Sequence, residues 1–170
     1  VGSDQRIAHP LLAERAHRSG DVLHFGANRM RVAEPEFAFR MARDLAPRAA
    51  AYRMDEVMAA VASLHPAIEV PDSRFGDFVT AGAAQLIADN ACAHEFVLGP
   101  ATTAAWRTID LARHRVQATI PGKLEREGVG SNVLEDPRRA LTWIVNELSG
   151  IGVTLKAGQV VTTGTCAVPL

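Results

Sequence analysis

The chain has 170 residues, 48% of them hydrophobic, and 18 basic against 19 acidic side chains give a formal net charge of −1. That length fits a single domain over 1–170 with a sizeable core, and sixteen scattered arginines matched by acids exclude the basic block of a nucleic-acid surface. Cys92 and Cys166 lack C-x-x-C spacing and read as reduced thiols, while no membrane-length apolar run or signal pattern occurs, so the expectation is a soluble cytoplasmic protein with no membrane partner.

Residues 4–18 place Ile7, Leu11 and Leu12 at weak helical spacing broken by Pro10, with Gly20 as a stop. Val22–Phe25 reads as a short strand ending at Gly26. His9, His17 and His24 lack the spacing of a metal set and read as surface or packing residues.

Glu34-Pro35-Glu36, followed by Phe37-Ala38-Phe39-Arg40-Met41, predicts a strand. The proline excludes helix, and the alternation of an extended chain puts Glu34 and Glu36 on one face. Two carboxylates so placed repel. Taken alone they are most simply an exposed acidic edge; the sharper reading puts a hard divalent cation, Mg²⁺ or Mn²⁺, between them.

Asp44 to Arg48 reads as a connection. Asp55 then caps a helix over Glu56–Leu64 that ends at His65-Pro66 and buries Val57, Ala60, Val61 and Leu64. Ile68 to Val70 predicts a strand ended or bulged at Pro71. In Asp72-Ser73-Arg74 the acid and the base can brace one another, or the segment simply turns. A short helix is expected within 80–91, ending at Asp89-Asn90, then a strand Phe96–Leu98 closed by Gly99-Pro100. Cys92, His94 and Glu95 lack the paired cysteines of a zinc deaminase signature.

Strands are expected at Ala105–Leu111 and Arg115–Ile120, a turn at Pro121-Gly122, and a hairpin or loop over Glu125–Gly130. The clearest helix starts at Asp136 as N-cap with Pro137 in its first position and runs to Leu148, stopped by Ser149-Gly150. Leu141, Ile144, Val145 and Leu148 share its inner face, with Trp143 to one side. A turn at Leu155–Gly158 leads into a strand from Gln159 through Thr163 that reaches Cys166.

Several of these pieces, in this order, resemble the fumarylacetoacetate hydrolase superfamily in its 2-keto-4-pentenoate hydratase and 2-oxo acid decarboxylase branch. They are Ala33 to Phe39, Pro66 to Phe75, Ile87 to Ala91, Phe96 to Gly99, Asn132 to Leu134 with Asp136-Pro137, Ala140 to Trp143, and Leu155 to Thr165. The resemblance covers roughly Val32 to the C-terminus; ahead of it, Val1-Gly2-Ser3 is only faintly similar to a glycine-containing strand of the family. It implies an α+β fold, a mixed rolled β-sheet or β-sandwich with a few packed helices.

The resemblance further implies that Glu34, Glu36 and Glu69 are the carboxylate ligands of a Mg²⁺ or Mn²⁺ ion. Asn90 falls at a catalytic position near the substrate, Thr163 and Gly164 at positions that bind the substrate's carboxylate or oxo oxygen, and Asp72 and Arg74 at bracing positions behind the ligands. The implied activity is a hydro-lyase that hydrates a 2-hydroxy-2,4-dienoate to a 4-hydroxy-2-oxo acid in aromatic-compound catabolism. A 2-oxo acid decarboxylase or a C–C bond hydrolase uses the same ion and is the alternative, since all three stabilise negative charge on the 2-oxygen. The expected partner is a small 2-oxo or 2-hydroxydienoic acid, and the expected assembly a homo-oligomer. Relative to the family pattern the chain is expected to lack N- and C-terminal parts, including a lysine used in proton transfer, for which Lys123 and Lys156 sit in other contexts. A non-catalytic truncated remnant is therefore the reading outside the enzyme class.

Overall fold

The computed structural model describes residues 6–170, so the reading of Val1-Gly2-Ser3 and the start of the 4–18 segment fall outside the described residues. The strands are β1 (Ala16–Arg18), β2 (Glu34–Met41), β3 (Val61–Val70), β4 (Glu95–Leu98), β5 (Arg115–Ile120), β6 (Leu124–Val129) and β7 (Val160–Thr165). The α-helices are α1 (Met54–Ala59), α2 (Ala83–Ala88) and α3 (Pro137–Gly150). Five strands form one sheet in the order β1-β4-β3-β2-β7, and β5 and β6 form a separate hairpin. The β1–β4 pair is parallel and the rest are antiparallel, so the sheet is mixed and the class is α+β, as expected. Among the described residues no helix is long and apolar enough to cross a membrane.

The two faces of the sheet carry different chemistry. Phe37, Phe39 and Met41 of β2 and Leu64 of β3 pack with Val57 of α1, with Ala140, Leu141 and Val145 of α3, and with Trp106 and Leu111. Each such large side chain contributes about 1.5–3 kcal/mol by leaving water. On the opposite face Ala38, Ala67 and Phe96 form a smaller apolar floor, with Leu11, Leu98 and Val160 against it. Strand alternation puts Glu34 and Glu36 on this second face with Ala38.

Helix α3 forms as its sequence dictates. The Asp136 carboxylate accepts the Arg138 N–H at 2.8 Å and Pro137 occupies the first turn. The helix read over Glu56–Leu64 is corrected. It spans only Met54–Ala59, its N-cap is Arg53, whose N–H is held by Glu56 at 2.9 Å, and Val61 already begins β3. The Arg107 guanidinium donates to the carbonyls of Met58, at 3.0 Å, and Val61, which takes up oxygens left open where the helix ends. Val57, Ala60, Val61 and Leu64 are all buried, as the helical stripe required, but on two elements.

His65-Pro66, read as a helix stop, lies inside the central strand β3. The Gly99 N–H donates to the Pro66 carbonyl at 2.9 Å, but Pro66 has no N–H to return. The buried His65 supplies it: its Nδ1–H donates to the Gly99 carbonyl at 2.9 Å, and Nε2 accepts from the Ser63 hydroxyl at 2.8 Å. A Cβ at Gly99 would stand 2.6 Å from the Pro66 carbonyl oxygen, so only glycine fits there. His65→Leu leaves the Gly99 oxygen unpaired and is expected to cost about 1–3 kcal/mol, roughly 2–10 °C for a chain this size. Thermal melting reads the effect, and an unchanged midpoint refutes the account.

Three further readings are corrected and a fourth is made definite. Residues 13–15 form a single 3₁₀ turn and Ala16–Arg18 form β1, in place of one helix, and β1 finds its partner in β4. Val22–Phe25 joins no sheet; Val22 is 78% exposed. Ala105–Leu111 forms turns that bury Trp106 and Leu111, with the Asp110 carboxylate holding the N–H groups of Ala112 and Arg113. Glu125–Gly130 falls largely within β6, the second strand of the expected hairpin.

Candidate metal centre

The antiparallel register sets Glu34 of β2 directly opposite Glu69 of β3, and Glu36 opposite the small Ala67. Glu34 and Glu36 share a face by alternation, so all three carboxylates converge on one spot. Each offers an oxygen, and these oxygens lie within 4.8 Å of one another. Glu36 and Glu69 are buried and Glu34 is half-buried.

Strand β7 supplies the next layer through a bulge. Glu36 pairs with Thr165 and Ala38 with Thr162, so Thr163 and Gly164 together oppose the single residue Phe37. Gly164 takes φ +93°, a left-handed conformation suited to glycine. The bulge turns two donors onto one oxygen: the Thr162 hydroxyl and the Gly164 N–H, at 2.9 Å, both donate to Glu36 Oε2. The Thr163 hydroxyl donates instead to the Phe37 carbonyl at 2.9 Å.

Three acids this close, removed from water, resist ionisation. Burial pushes the Glu36 carboxyl up to about 7 against its hydrogen bonds from Thr162 and Gly164, with the Glu34 charge adding to the rise. Burial first, then the charges of Glu36 and Glu34, push Glu69 up to about 8. Burial also raises Glu34. With both acids ionised, Oε1 of Glu36 and Oε1 of Glu69 are buried with no donor to meet them, and only a proton held between the two carboxyls would pair them. Unpaired buried carboxylate oxygens are costly, and hard oxygen donors clustered this way fit a divalent cation such as Mg²⁺.

Asp72 and Arg74 each take other partners. Asp72 accepts the Arg29 N–H at 2.8 Å, and the Arg74 guanidinium pairs with Asp89 at 2.6 Å. Asp89 is 1% exposed and also receives the Ser73 hydroxyl at 2.7 Å. Burial would raise its carboxyl, but hydrogen bonds from Arg74 and Ser73 hold it below its ordinary value. This buried acid ties the loop after Glu69 to the turn after α2. In that turn Asn90, Ala91 and Cys92 all have positive φ, and the Asn90 amide donates to the Pro10 carbonyl at 3.0 Å. Cys92 and Cys166 are free and buried, and burial pushes the Cys166 thiol up to about 11.

Sequence reasoning missed Thr162, Asp89 and the His65 bridge. A glycine inside the strand Thr162-Thr163-Gly164-Thr165 was the available signal for a bulge. A cleft of about 1150 Å³ lies elsewhere, lined by Ile87, Leu134, Trp143 and Asn146. Its Glu135 and Arg139 pair with each other, whereas the glutamate cluster holds oxygens without partners, which makes the cluster the better candidate.

The 2-hydroxyhexa-2,4-dienoate hydratase of Comamonas testosteroni is 33% identical over 135 residues, 79% of this chain and 50% of that protein. A 4-oxalocrotonate decarboxylase of Pseudomonas sp is 30% identical over 154 residues, 88% of this chain and 56% of that protein. The structure of 4-oxalocrotonate decarboxylase from Pseudomonas putida G7, complexed with magnesium and adipate, superposes with TM-score 0.76 at 23% identity, covering 92% of this chain and 58% of that one. The chain thus spans about half the length of the curated relatives it matches. The family model described as Fumarylacetoacetate (FAA) hydrolase C-terminal matches residues 14–169, a match that opens ahead of Val32 and takes in β1. The strand register that gathers the three glutamates therefore sits inside a fold whose lineage is settled: the chain belongs to the fumarylacetoacetate hydrolase C-terminal family.

Proposed function

We propose that the chain is the cation-binding part of a divalent-metal-dependent hydratase that converts a 2-hydroxy-2,4-dienoate to a 4-hydroxy-2-oxo acid in aromatic-compound catabolism. The observation that carries this is the convergence of Glu34, Glu36 and Glu69 with two buried oxygens left unpartnered, in a chain 33% identical to a dienoate hydratase. Those three residues would hold Mg²⁺ or Mn²⁺. When bound, the cation supplies a Lewis acid for the oxygen that gains negative charge as the dienol is ketonised.

The chain's own residues set the stage for that charge. Burial of Glu36 and Glu69 keeps the site poor in water, which strengthens every electrostatic contact made there. The hydrogen bonds of Thr162 and Gly164 fix the Glu36 carboxylate. The Asp89 network fixes the loop that follows Glu69. Asn90 and Thr163 enter as substrate-facing groups only by exchanging their present bonds, to Pro10 and Phe37, for bonds to the ligand, while the Gly164 N–H stays committed to Glu36.

A 2-oxo acid decarboxylase is the second reading, favoured by the 30% identity to a 4-oxalocrotonate decarboxylase. Loss of ultraviolet absorbance from 2-hydroxypenta-2,4-dienoate with Mg²⁺ is the expected result. CO₂ release from 4-oxalocrotonate without dienoate loss selects the decarboxylase. Cation binding with neither reaction leaves this chain non-catalytic by itself, the reading outside the enzyme class. A homo-oligomer belongs to the same proposal, because among the described residues the sheet ends on the strands β1 and β7, and an edge strand favours pairing.

A further inference from the structure

The two oxygens of Glu36 are not equivalent. Oε2 receives both the Thr162 hydroxyl and the Gly164 N–H, while Oε1 is buried with no partner. A carboxylate oxygen has two lone-pair directions, so the two donors fill Oε2 and leave Oε1 as the atom free to meet a cation. Both donors depend on the β7 bulge, and Thr162 faces Ala38, whose small side chain leaves room for the hydroxyl to reach Glu36.

We propose that Thr162 is a positioning residue that makes Glu36 a one-oxygen donor and so tunes the centre to a small octahedral cation over Ca²⁺. The proposal rests on the cation reading given above. Mg²⁺ demands near-ideal octahedral geometry from donors at short range, whereas Ca²⁺ accepts more oxygens and takes carboxylates through both. Holding Oε2 in two hydrogen bonds removes the two-oxygen mode that favours Ca²⁺. It also fixes the direction of Oε1, which a compact ion requires more strictly than a large one. Without the hydroxyl, only the Gly164 N–H restrains the carboxylate, and Glu36 is free to rotate toward a chelating pose.

The test is calorimetric titration of the whole chain with MgCl₂ and, separately, CaCl₂, using wild type, Thr162→Val and Thr162→Ser, with melting in EDTA as the check on folding. Thr162→Val keeps the shape of the side chain and is expected to weaken Mg²⁺ binding about 10–100-fold while changing Ca²⁺ binding by less than about threefold. Thr162→Ser restores the hydroxyl and is expected to stay within about threefold of wild type for both ions. Unchanged Mg²⁺ affinity in Thr162→Val overturns the positioning role, and an equal loss for both ions overturns the tuning. Wild type that binds neither ion overturns the cation reading and this inference with it, a failure already visible without any variant. Should Thr162→Val melt without a cooperative transition, Thr162→Ala is titrated in its place against the same two criteria.

Discussion

Mg²⁺ added to the metal-free protein is expected to raise its melting temperature more at about pH 8 than at about pH 5.5. The sign follows from the direction in which burial and mutual repulsion move the ligands. Glu36 is pushed up from 4.5 to about 7 and Glu69 from 4.5 to about 8, so the folded chain holds protons that the unfolded chain has released. A carboxyl raised on folding lends stability below its unfolded value, and that stability is lost as pH rises through the folded one. The metal-free protein therefore weakens between about pH 4.5 and about pH 8. A cation reverses the trend, because it binds the carboxylates and must displace their protons. At a Mg²⁺ concentration of about 100 times Kd the gain is about 2.7 kcal/mol, or about 5–10 °C for a chain of this length. At the acid end protons compete, and the same concentration yields a smaller shift. Calorimetry near neutral pH in two buffers of different ionisation enthalpy should register proton release. Equal shifts at both pH values, or none at the alkaline one, refute the proposed centre.

The part of this centre that sequence reasoning recovered is the part set by strand alternation. Glu34-Pro35-Glu36 could only be extended, and an extended chain places the two acids side by side. Glu69 entered through the family resemblance, and the β2–β3 register sets it opposite Glu34. Helix α3 was legible because its signals are local: an aspartate cap, a proline in the first turn and one apolar face. What was illegible depends on partners distant in sequence. Val57, Ala60, Val61 and Leu64 have helical spacing, yet the last two join β3, where pairing with β2 and capture of two carbonyls by Arg107 outweigh local preference. His65-Pro66 looked like a stop because nothing nearby announces that His65 supplies the donor that Pro66 lacks. Thr162 was hidden by the bulge, which shifts the register so that its hydroxyl, not that of Thr163, reaches Glu36.

Glu36→Gln is expected to do two opposite things: stabilise the metal-free protein at about pH 8 and abolish most of its response to Mg²⁺. The amide keeps the shape of the side chain. Its oxygen can still accept from Thr162 and Gly164, and its NH₂ group can donate to Glu69 Oε1, which is buried without a partner. One buried negative charge disappears from a set of three, so repulsion falls and the midpoint in EDTA rises by a few degrees, on the order of 1–3 kcal/mol. The same change removes a third of the ligand charge, which is expected to weaken Mg²⁺ binding on the order of 100-fold or more. A site kept for binding at the expense of stability behaves in this way. If Glu36 served only to accept hydrogen bonds from β7, Glu36→Gln would still raise the EDTA midpoint, because burial resists the charge in either role, but would leave the Mg²⁺ shift where it is. The shift that Mg²⁺ adds to the EDTA midpoint thus separates a structural acceptor from a ligand, because the fold resists the buried charge in either role and the cation needs it only in the second.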